Sequence, residues 1–223
     1  MVALLLTAHL LTAPPVPVAK SCEALPAPLR IWLTFGTTKW KDAAPTIRQL
    51  VEETWLPAGL RIEWLPDGVP KETVNLRIAV VHGMKETADV GALGMVQFHA
   101  GKPQPLARVS IDAAIIWVRH YQARLLNQPM NAFGFAEIED PEIVRRVMGY
   151  AAAHEIGHFV LASKSHASDG VMRSTLRSAV SNSRVWRLDE GSHARLQQRL
   201  DGCGGKPTSL SRHENPVEPK TPN

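Results

Sequence analysis

The strongest constraint on this chain is a pair of histidines four residues apart with a glutamate directly after the first. The stretch His154-Glu155-Ile156-Gly157-His158 reads HExxH and lies near the end of a long helical pattern. Residues four apart on an α-helix share one face, about 5–6 Å from each other, so the two imidazoles can aim at one point. Imidazole nitrogen is a zinc ligand, whereas Glu155 leaves the helix about 100° away and reaches a water instead. The motif predicts Zn2+ at His154 and His158, with Glu155 as general base.

A catalytic zinc takes three protein ligands and one open position, so the motif requires a third ligand elsewhere. His166 lies eight residues past His158, just beyond the expected end of the helix, and is the first candidate. The predicted metal site is therefore His154, His158 and His166. Three other residues stay open as the third ligand: Asp169, Glu190 and His193.

Small and apolar residues surround the motif and indicate that the helix is buried. Asp140 is a good N-cap, Pro141 suits the first helical position, and Glu142 suits the positive end of the helix dipole. Val147 and Ala151 fall on the same stripe as the two histidines. The alternative is a solvated surface helix, but these neighbours argue against it, because a buried imidazole needs a partner.

The motif, followed by His166 and by Gly170-Val171-Met172, resembles the metzincin zinc peptidases. Their pattern is HExxHxxGxxH followed by a methionine turn. Leu161 stands where that family has glycine, and Lys164 stands where it has the third histidine. The connection to His166 is therefore two residues longer than in the family and contains no glycine, so a looser turn is expected. By the order of its elements the chain is also similar to small predicted bacterial metallopeptidases.

The resemblance implies an α+β fold of metzincin type. We expect a twisted, mixed sheet of four or five strands packed against a first helix and the zinc helix, with a small C-terminal subdomain that ends in a helix. In metzincins an edge strand lines the cleft and binds the substrate in extended form by strand addition. Residues 94–98 would be that strand, and Met172 would be the methionine of the turn. A methionine that only fills the core is the alternative for Met172.

Periodicity along the chain predicts the order β-α-β-β-β-β before the zinc helix. A strand–helix–strand start implies a crossover and parallel pairing. Asp42 is expected to cap the first helix, Pro45 to lie in its first turn, and Pro57 with Gly59 to end it. A C-terminal helix is predicted from Leu188 to Leu200, capped by Asp189 and ended by Gly202. Alternation predicts strands at 29–35, 60–64, 74–80 and 95–99, and a fifth over Val109, Ile111 and 113–118.

Length and composition favour one domain with loose ends. Residues 1–19 resemble a signal peptide because a short apolar run precedes small residues and prolines, so we expect a secreted or periplasmic protein. A packed or disordered N-terminal arm is the alternative. Residues 20–203 are predicted to form a single domain, divided near residue 162, and residues 204–223 a disordered tail. Cys22 and Cys203 are expected to form a disulfide if the protein is exported, and two free thiols otherwise.

Charge does not suggest a nucleic-acid partner. The 25 Lys and Arg exceed the 21 Asp and Glu by only four, and they are scattered without a basic run. The apolar run near the N-terminus is too short to span a bilayer. The predicted partner is a peptide or protein substrate, with no nucleic acid and no stable membrane insertion. The predicted activity is zinc-dependent peptide hydrolysis, and the alternatives are an HExxH peptidase of another class with Glu190 as ligand or a non-catalytic zinc-stabilised binding module.

Overall fold

The computed structural model describes residues 23–84, 92–125, 141–176 and 187–202. These residues form one mixed five-stranded sheet with helices packed against it. Short 3-10 turns flank the first helix at Thr38–Ala43 and Leu56–Ala58 and precede the third strand at Lys71–Thr73. The strands are β1 (Leu29–Phe35), β2 (Ile62–Trp64), β3 (Leu76–Val81), β4 (Gly94–His99) and β5 (Lys102–Ser110), and the helices are α1 (Ala44–Trp55), α2 (Ile111–Leu125), α3 (Pro141–Val160) and α4 (Glu190–Leu200).

The sheet runs in the order β2-β1-β3-β5-β4. Its first four strands are parallel to their neighbours, and β4 is antiparallel to β5 at the edge. A two-residue turn joins β4 to β5, and both of its residues have positive φ, 47° at Ala100 and 79° at Gly101, as a type I′ hairpin turn requires. The prediction of a mixed sheet with a parallel crossover at its start is confirmed, and β4 is an edge strand.

Helix α3 is buried along most of its length because it packs between α1 and the sheet. The Trp55 indole donates a 3.1 Å hydrogen bond to the carbonyl of Ala153. Gly149 lets α1 and α3 approach closely, since a Cβ there would lie 2.7 Å from Leu50 Cδ1. This packing fixes the helix that carries the HExxH motif.

The predicted position of the fifth strand is wrong. The strand is β5, which ends at Ser110, and residues 111–125 form α2. Ser110 begins this helix, because its hydroxyl accepts a 3.1 Å hydrogen bond from the backbone of Ala113. Ile111, Ala114 and Val118 are all fully buried, and their spacing of three and four is helical rather than alternating. The apolar run therefore fits a helix better than a strand.

The predicted cap of α1 is also wrong. The helix begins at Ala44 directly after the 3-10 turn, and Ala43 at the N-cap has no side-chain hydrogen bond. The Asp42 carboxylate instead pairs with the guanidinium of Arg145 on α3. Asp42 therefore links the turn before α1 to α3 through an ion pair and does not cap α1.

The predicted helix that carries the motif and the predicted C-terminal helix are found close to their expected positions. Helix α3 begins at Pro141 as predicted, while its expected cap, Asp140, lies outside the described residues. Asp189 caps α4 by accepting a 3.0 Å hydrogen bond from the backbone of Ser192, and Gly202 follows the helix end with φ 69°. Whether residues 163–203 form a subdomain stays a prediction.

Several predictions lie outside the described residues. These are the signal peptide over 1–19, the disulfide between Cys22 and Cys203, and the disordered tail over 204–223. Within the part of the chain that the structure describes, no helix is both long enough and apolar enough to cross a membrane.

Candidate metal centre

Three histidine side chains meet at the C-terminal end of α3. His154 and His158 project from the helix, and His166 reaches the same point from the turn that follows it. One ring nitrogen of each lies within 4.8 Å of the others, and the Nε2 atoms of His154 and His158 are 3.0 Å apart. The structure therefore brings together the three residues that the sequence predicted as metal ligands.

Hydrogen bonds to backbone carbonyls fix the tautomers of the two helix histidines. His154 Nδ1 lies 2.7 Å from the carbonyl oxygen of Val171, and His158 Nδ1 lies 2.7 Å from that of Ser163. A carbonyl only accepts, so each Nδ1 must carry its proton, and each neutral ring presents an Nε2 lone pair.

Two Nε2 atoms that carry lone pairs 3.0 Å apart repel each other unless both bind a shared cation. A shared proton is disfavoured, because burial lowers the pKa of His154 to about 4 and also lowers the pKa of His158. Neutral imidazole rings anchored through Nδ1 are the usual state of zinc-binding histidines. The residues present therefore fit a zinc ion.

The turn that leads to His166 is a compact helix end. Ser163 N donates to the carbonyl of His158 and Ala162 N to that of Phe159, each at 3.2 Å. Ala162 has φ 45°, so it takes the left-handed position that glycine usually occupies in this kind of helix ending. The expectation of a looser turn is wrong, because Ala162 adopts the strained conformation itself. Ser163 thus contacts both the backbone and the ring of His158.

A side chain of α4 also holds the end of α3. The Arg199 guanidinium donates to the last helical carbonyls, those of Phe159 and Val160, and through Nε to the carbonyl of Glu23. Carbonyls at a helix C-terminus lack partners within the helix, so the half-buried cation of Arg199 stabilises them. The C-terminal helix therefore supports the end of α3 from which the turn to His166 departs.

Met172 lies directly under the histidine motif. Its side chain is 1% exposed, and a Cβ on Gly157 would lie 2.1 Å from its sulfur. The loop is closed by a 2.9 Å hydrogen bond from Ala167 N to the carbonyl of Met172, which places the Val171 carbonyl against His154. Gly157 is therefore required by the close approach of the methionine, and the loop orients a metal-site ring.

Glu155 is buried beside the histidines and only partly satisfied by hydrogen bonds. It is 4% exposed, its carboxylate accepts a hydrogen bond from the backbone of Val96, and Oε2 has no hydrogen-bond partner among the described residues. Burial raises the pKa of the Glu155 carboxyl to about 8. Gly94 lies against it, since a Cβ there would be 2.6 Å from Glu155 Cγ and Oε1. The edge strand thus holds a carboxyl group with a free oxygen next to the metal site.

A cleft of about 790 Å3 opens over these residues. Cavities of this size are typical of ligand sites in proteins. Strand β4 forms one wall, the segment after Gly170 forms the other, and α3 forms the floor. The lining residues include Leu93, Met95, Val96, Phe98, Trp117, Tyr150, Lys164, Val171, Arg173 and Leu176 in addition to the histidines and Glu155.

The alternative third ligands do not join the cluster. Asp169, Glu190 and His193 are all described, yet the metal-binding group contains only the three histidines. Glu190 lies in the first turn of α4, and neither it nor His193 lines the cleft. The role of His166 as a ligand stays a prediction that its position supports.

Sequence reasoning missed several residues that form the site. Tyr150 lies four residues before His154 on the same helix face, so its place in the cleft could have been inferred from spacing. The position of Trp117 in the cleft was missed because residues 113–118, which lie in α2, were predicted to form a strand. The carbonyls of Ser163 and Val171 have no sequence signal, since every residue carries a carbonyl.

Comparison with known proteins finds a weak similarity of overall backbone structure and no similarity of sequence. No protein-family model matches this chain, and no curated protein sequence matches it. Among solved structures, the chain is similar to archaemetzincin from Methanopyrus kandleri, with 12% sequence identity and a TM-score of 0.47. The match covers 82% of this chain and 99% of that chain. We therefore interpret the site from its own residues.

Proposed function

We propose that this protein is a zinc-dependent peptidase in which His154, His158 and His166 hold the metal and Glu155 is the general base. The observation that carries the proposal is the pair of Nε2 lone pairs 3.0 Å apart, beside a buried carboxyl group with a free oxygen. The two Nε2 atoms can bind a cation, and the carboxyl oxygen of Glu155 can accept a proton. Together they match the needs of metal-assisted hydrolysis.

The chain's own residues account for the proton transfers. A bound zinc ion would supply Lewis-acid chemistry, lowering the pKa of a water and polarising a substrate carbonyl. Glu155 Oε2 accepts the proton of the attacking water, while the Val96 N–H holds the carboxylate in place. Glu155 then donates the same proton to the leaving amine, which completes the hydrolysis of the peptide bond.

An extended peptide fits the cleft beside β4. Among the described strands β4 pairs with β5 alone, and β4 also lines the cleft, so we infer that its outer edge faces the cleft. A peptide that adds to such an edge gains main-chain hydrogen bonds and places alternate side chains into the cleft. Gly94 next to Glu155 would bring the substrate backbone close to the base.

The Glu155→Gln variant tests the mechanism. It should keep zinc, measured by elemental analysis, and lose about 10²–10⁴-fold in peptide cleavage, which is the usual contribution of a general base. Cleavage is followed by mass spectrometry on a peptide library. Glu63→Gln is the matched control, because Glu63 is half exposed and pairs only with Arg30. Equal cleavage by Glu155→Gln and the wild type would reject Glu155 as the base.

The two alternatives find less support. A purely structural zinc needs four protein ligands, and the described residues offer three at this point. A peptidase of another HExxH class would need Glu190 at the metal, which is outside the group. The buried Glu155 also has no function in a structural site.

A further inference from the structure

Two contacts between strand β4 and the C-terminal part of α3 with the turn after it assign positions along the cleft. Gly94 at the start of β4 contacts Glu155 on α3. Four residues later on the strand, Phe98 contacts Lys164, which follows the end of α3. Four residues of strand extend about 13 Å. The Phe98 end of the cleft is therefore separate from the point where Glu155 lies.

The opposite end of the cleft is apolar and aromatic. Tyr150 lies one helical turn before His154, about 6 Å along the helix axis, and Trp117 of α2 and Leu93 line the same cleft. None of these three lining residues is charged, and Arg146, which donates a 3.2 Å hydrogen bond to the Tyr150 hydroxyl, does not line the cleft. Among the described lining residues, the other end therefore differs by the ammonium group of Lys164.

Hydrogen bonds of the neighbouring residues Ser163 and Ser165 position the backbone of Lys164. The carbonyl of Ser163 accepts from the His158 ring, and Ser165 N donates to the Ser163 hydroxyl at 3.2 Å. The Lys164 ammonium lies 5.3 Å from the centre of the Phe98 ring, which is a cation–π distance. Lys164 thus connects the turn after α3 to the edge strand, with its charge at the mouth of the cleft.

No carboxylate neutralises this charge among the described residues. Lys164 makes no ion pair there. Of the described residues that line the cleft, only Glu155 is acidic, and it is buried beside the three histidines. Arg173 is the other cationic residue of the lining and lies on the wall opposite β4. The accessible cleft surface is therefore positive at this end.

We propose that Lys164 is a specificity-determining residue that binds a carboxylate of the substrate at the Phe98 end of the cleft. This inference rests on the proposed peptidase function and names its preferred substrates: peptides with a carboxylate at one fixed position, from an Asp or Glu side chain or from the C-terminus. An ammonium group already placed by Phe98 gains an ion pair with little further ordering. A partly exposed pair contributes about a two- to fivefold preference.

The test measures peptide binding separately from cleavage. Fluorescence anisotropy gives the affinity of labelled peptides for zinc-loaded Glu155→Gln, alone and combined with Lys164→Met or Lys164→Glu. A single Asp is moved through the peptide one position at a time, and each peptide is made with a free and an amidated C-terminus. We expect tighter binding of Asp at one position, about two- to fivefold. Lys164→Met should abolish this preference, and Lys164→Glu should replace it with a preference for Lys.

Lys71→Glu is the matched control, because Lys71 is exposed and lies outside the cleft. It should leave the preference unchanged. A preference that survives Lys164→Met, or that falls equally in Lys71→Glu, would overturn the proposal, as would binding without any dependence on the carboxylate. Loss on amidation would identify the terminal carboxylate, and retention would identify a side chain. Selective binding without cleavage by the wild type would reject the peptidase function and keep the assignment of Lys164.

Discussion

The candidate metal centre consists of a helix half and a turn half that are held very differently. The helix half, His154, Glu155 and His158, is set by the spacing of α3, and both its rings are anchored to carbonyls. The turn half, Lys164 and His166, is exposed. The His166 ring makes no hydrogen bond with another described residue, although it stacks at 5.2 Å on that of His154.

This difference explains where the chain departs from the metzincin pattern. Two ligands on a buried helix must lie three or four residues apart, because other short spacings turn one ring away from the shared face. The third ligand depends only on where the turn after the helix leads. Arg199 and the Ser163–His158 contacts hold the helix end, so two additional residues can be accommodated before His166.

The largest expected effect is on zinc affinity and compares the two halves directly. His158→Ala should weaken zinc binding by about 100-fold, roughly 3 kcal/mol, because it removes a ring that is already oriented. His166→Ala should cost about tenfold, because ordering an exposed side chain offsets part of what that ligand contributes. Competition with a chromophoric chelator measures both dissociation constants.

His193→Ala is the control for that comparison, since His193 is described but lies outside the cluster. Equal losses in His158→Ala and His166→Ala would show that the two halves are equally ordered. An unchanged affinity in His166→Ala would remove His166 from the site, and Glu190→Ala and Asp169→Ala would then be measured.

The next effect tests whether the helix half depends on its contact with the edge strand. Gly94→Ala would place a methyl group 2.6 Å from Glu155 Cγ, and Glu155 is too buried to move freely. We expect peptide cleavage to fall by about 100-fold, the usual result of moving a catalytic group by about 1 Å. Zinc content should be unchanged, because the three atoms nearest to an added Cβ at Gly94 all belong to Glu155 and none to a histidine.

Gly36→Ala provides the matched control at the end of β1. A Cβ there would meet its nearest neighbour at 3.5 Å, which is ordinary van der Waals contact. Cleavage by this variant should equal that of the wild type. If Gly94→Ala is as active as Gly36→Ala, the position of Glu155 does not depend on the edge strand.

The sequence was most informative where one periodicity had no competitor. Alternation from Leu29 to Phe35 marked β1, and Asp189 with Gly202 marked both ends of α4. Prediction from the sequence failed at residues 111–118, where nearly every position is apolar, so that the pattern fits the period of a helix and that of a strand equally well. There Ser110 as an N-cap was the signal that distinguishes a helix from a strand.

The helix half of the site could be predicted because helical geometry alone places two residues that lie four apart. The turn half could be predicted only as a candidate, His166, with its alternatives left open. Its geometry depends on the left-handed backbone of Ala162 and on the backbone hydrogen bonds that close the end of α3, from Ala162 to Phe159 and from Ser163 to His158. None of these is specified by the identity of a side chain.

The smallest expected effect concerns Ala162, the residue that joins the two halves. At φ 45° an L-residue is strained by about 1–2 kcal/mol, and glycine is not. Glycine also gains conformational freedom in the unfolded chain, which offsets about 0.4–1 kcal/mol. Ala162→Gly should therefore raise the free energy of unfolding by about 0.5 kcal/mol, measured by urea denaturation, without changing zinc affinity. Ala194→Gly on the exposed face of α4 should instead lower it by about 1 kcal/mol. A loss of stability in Ala162→Gly as large as in Ala194→Gly would show that the turn half does not begin with a left-handed residue.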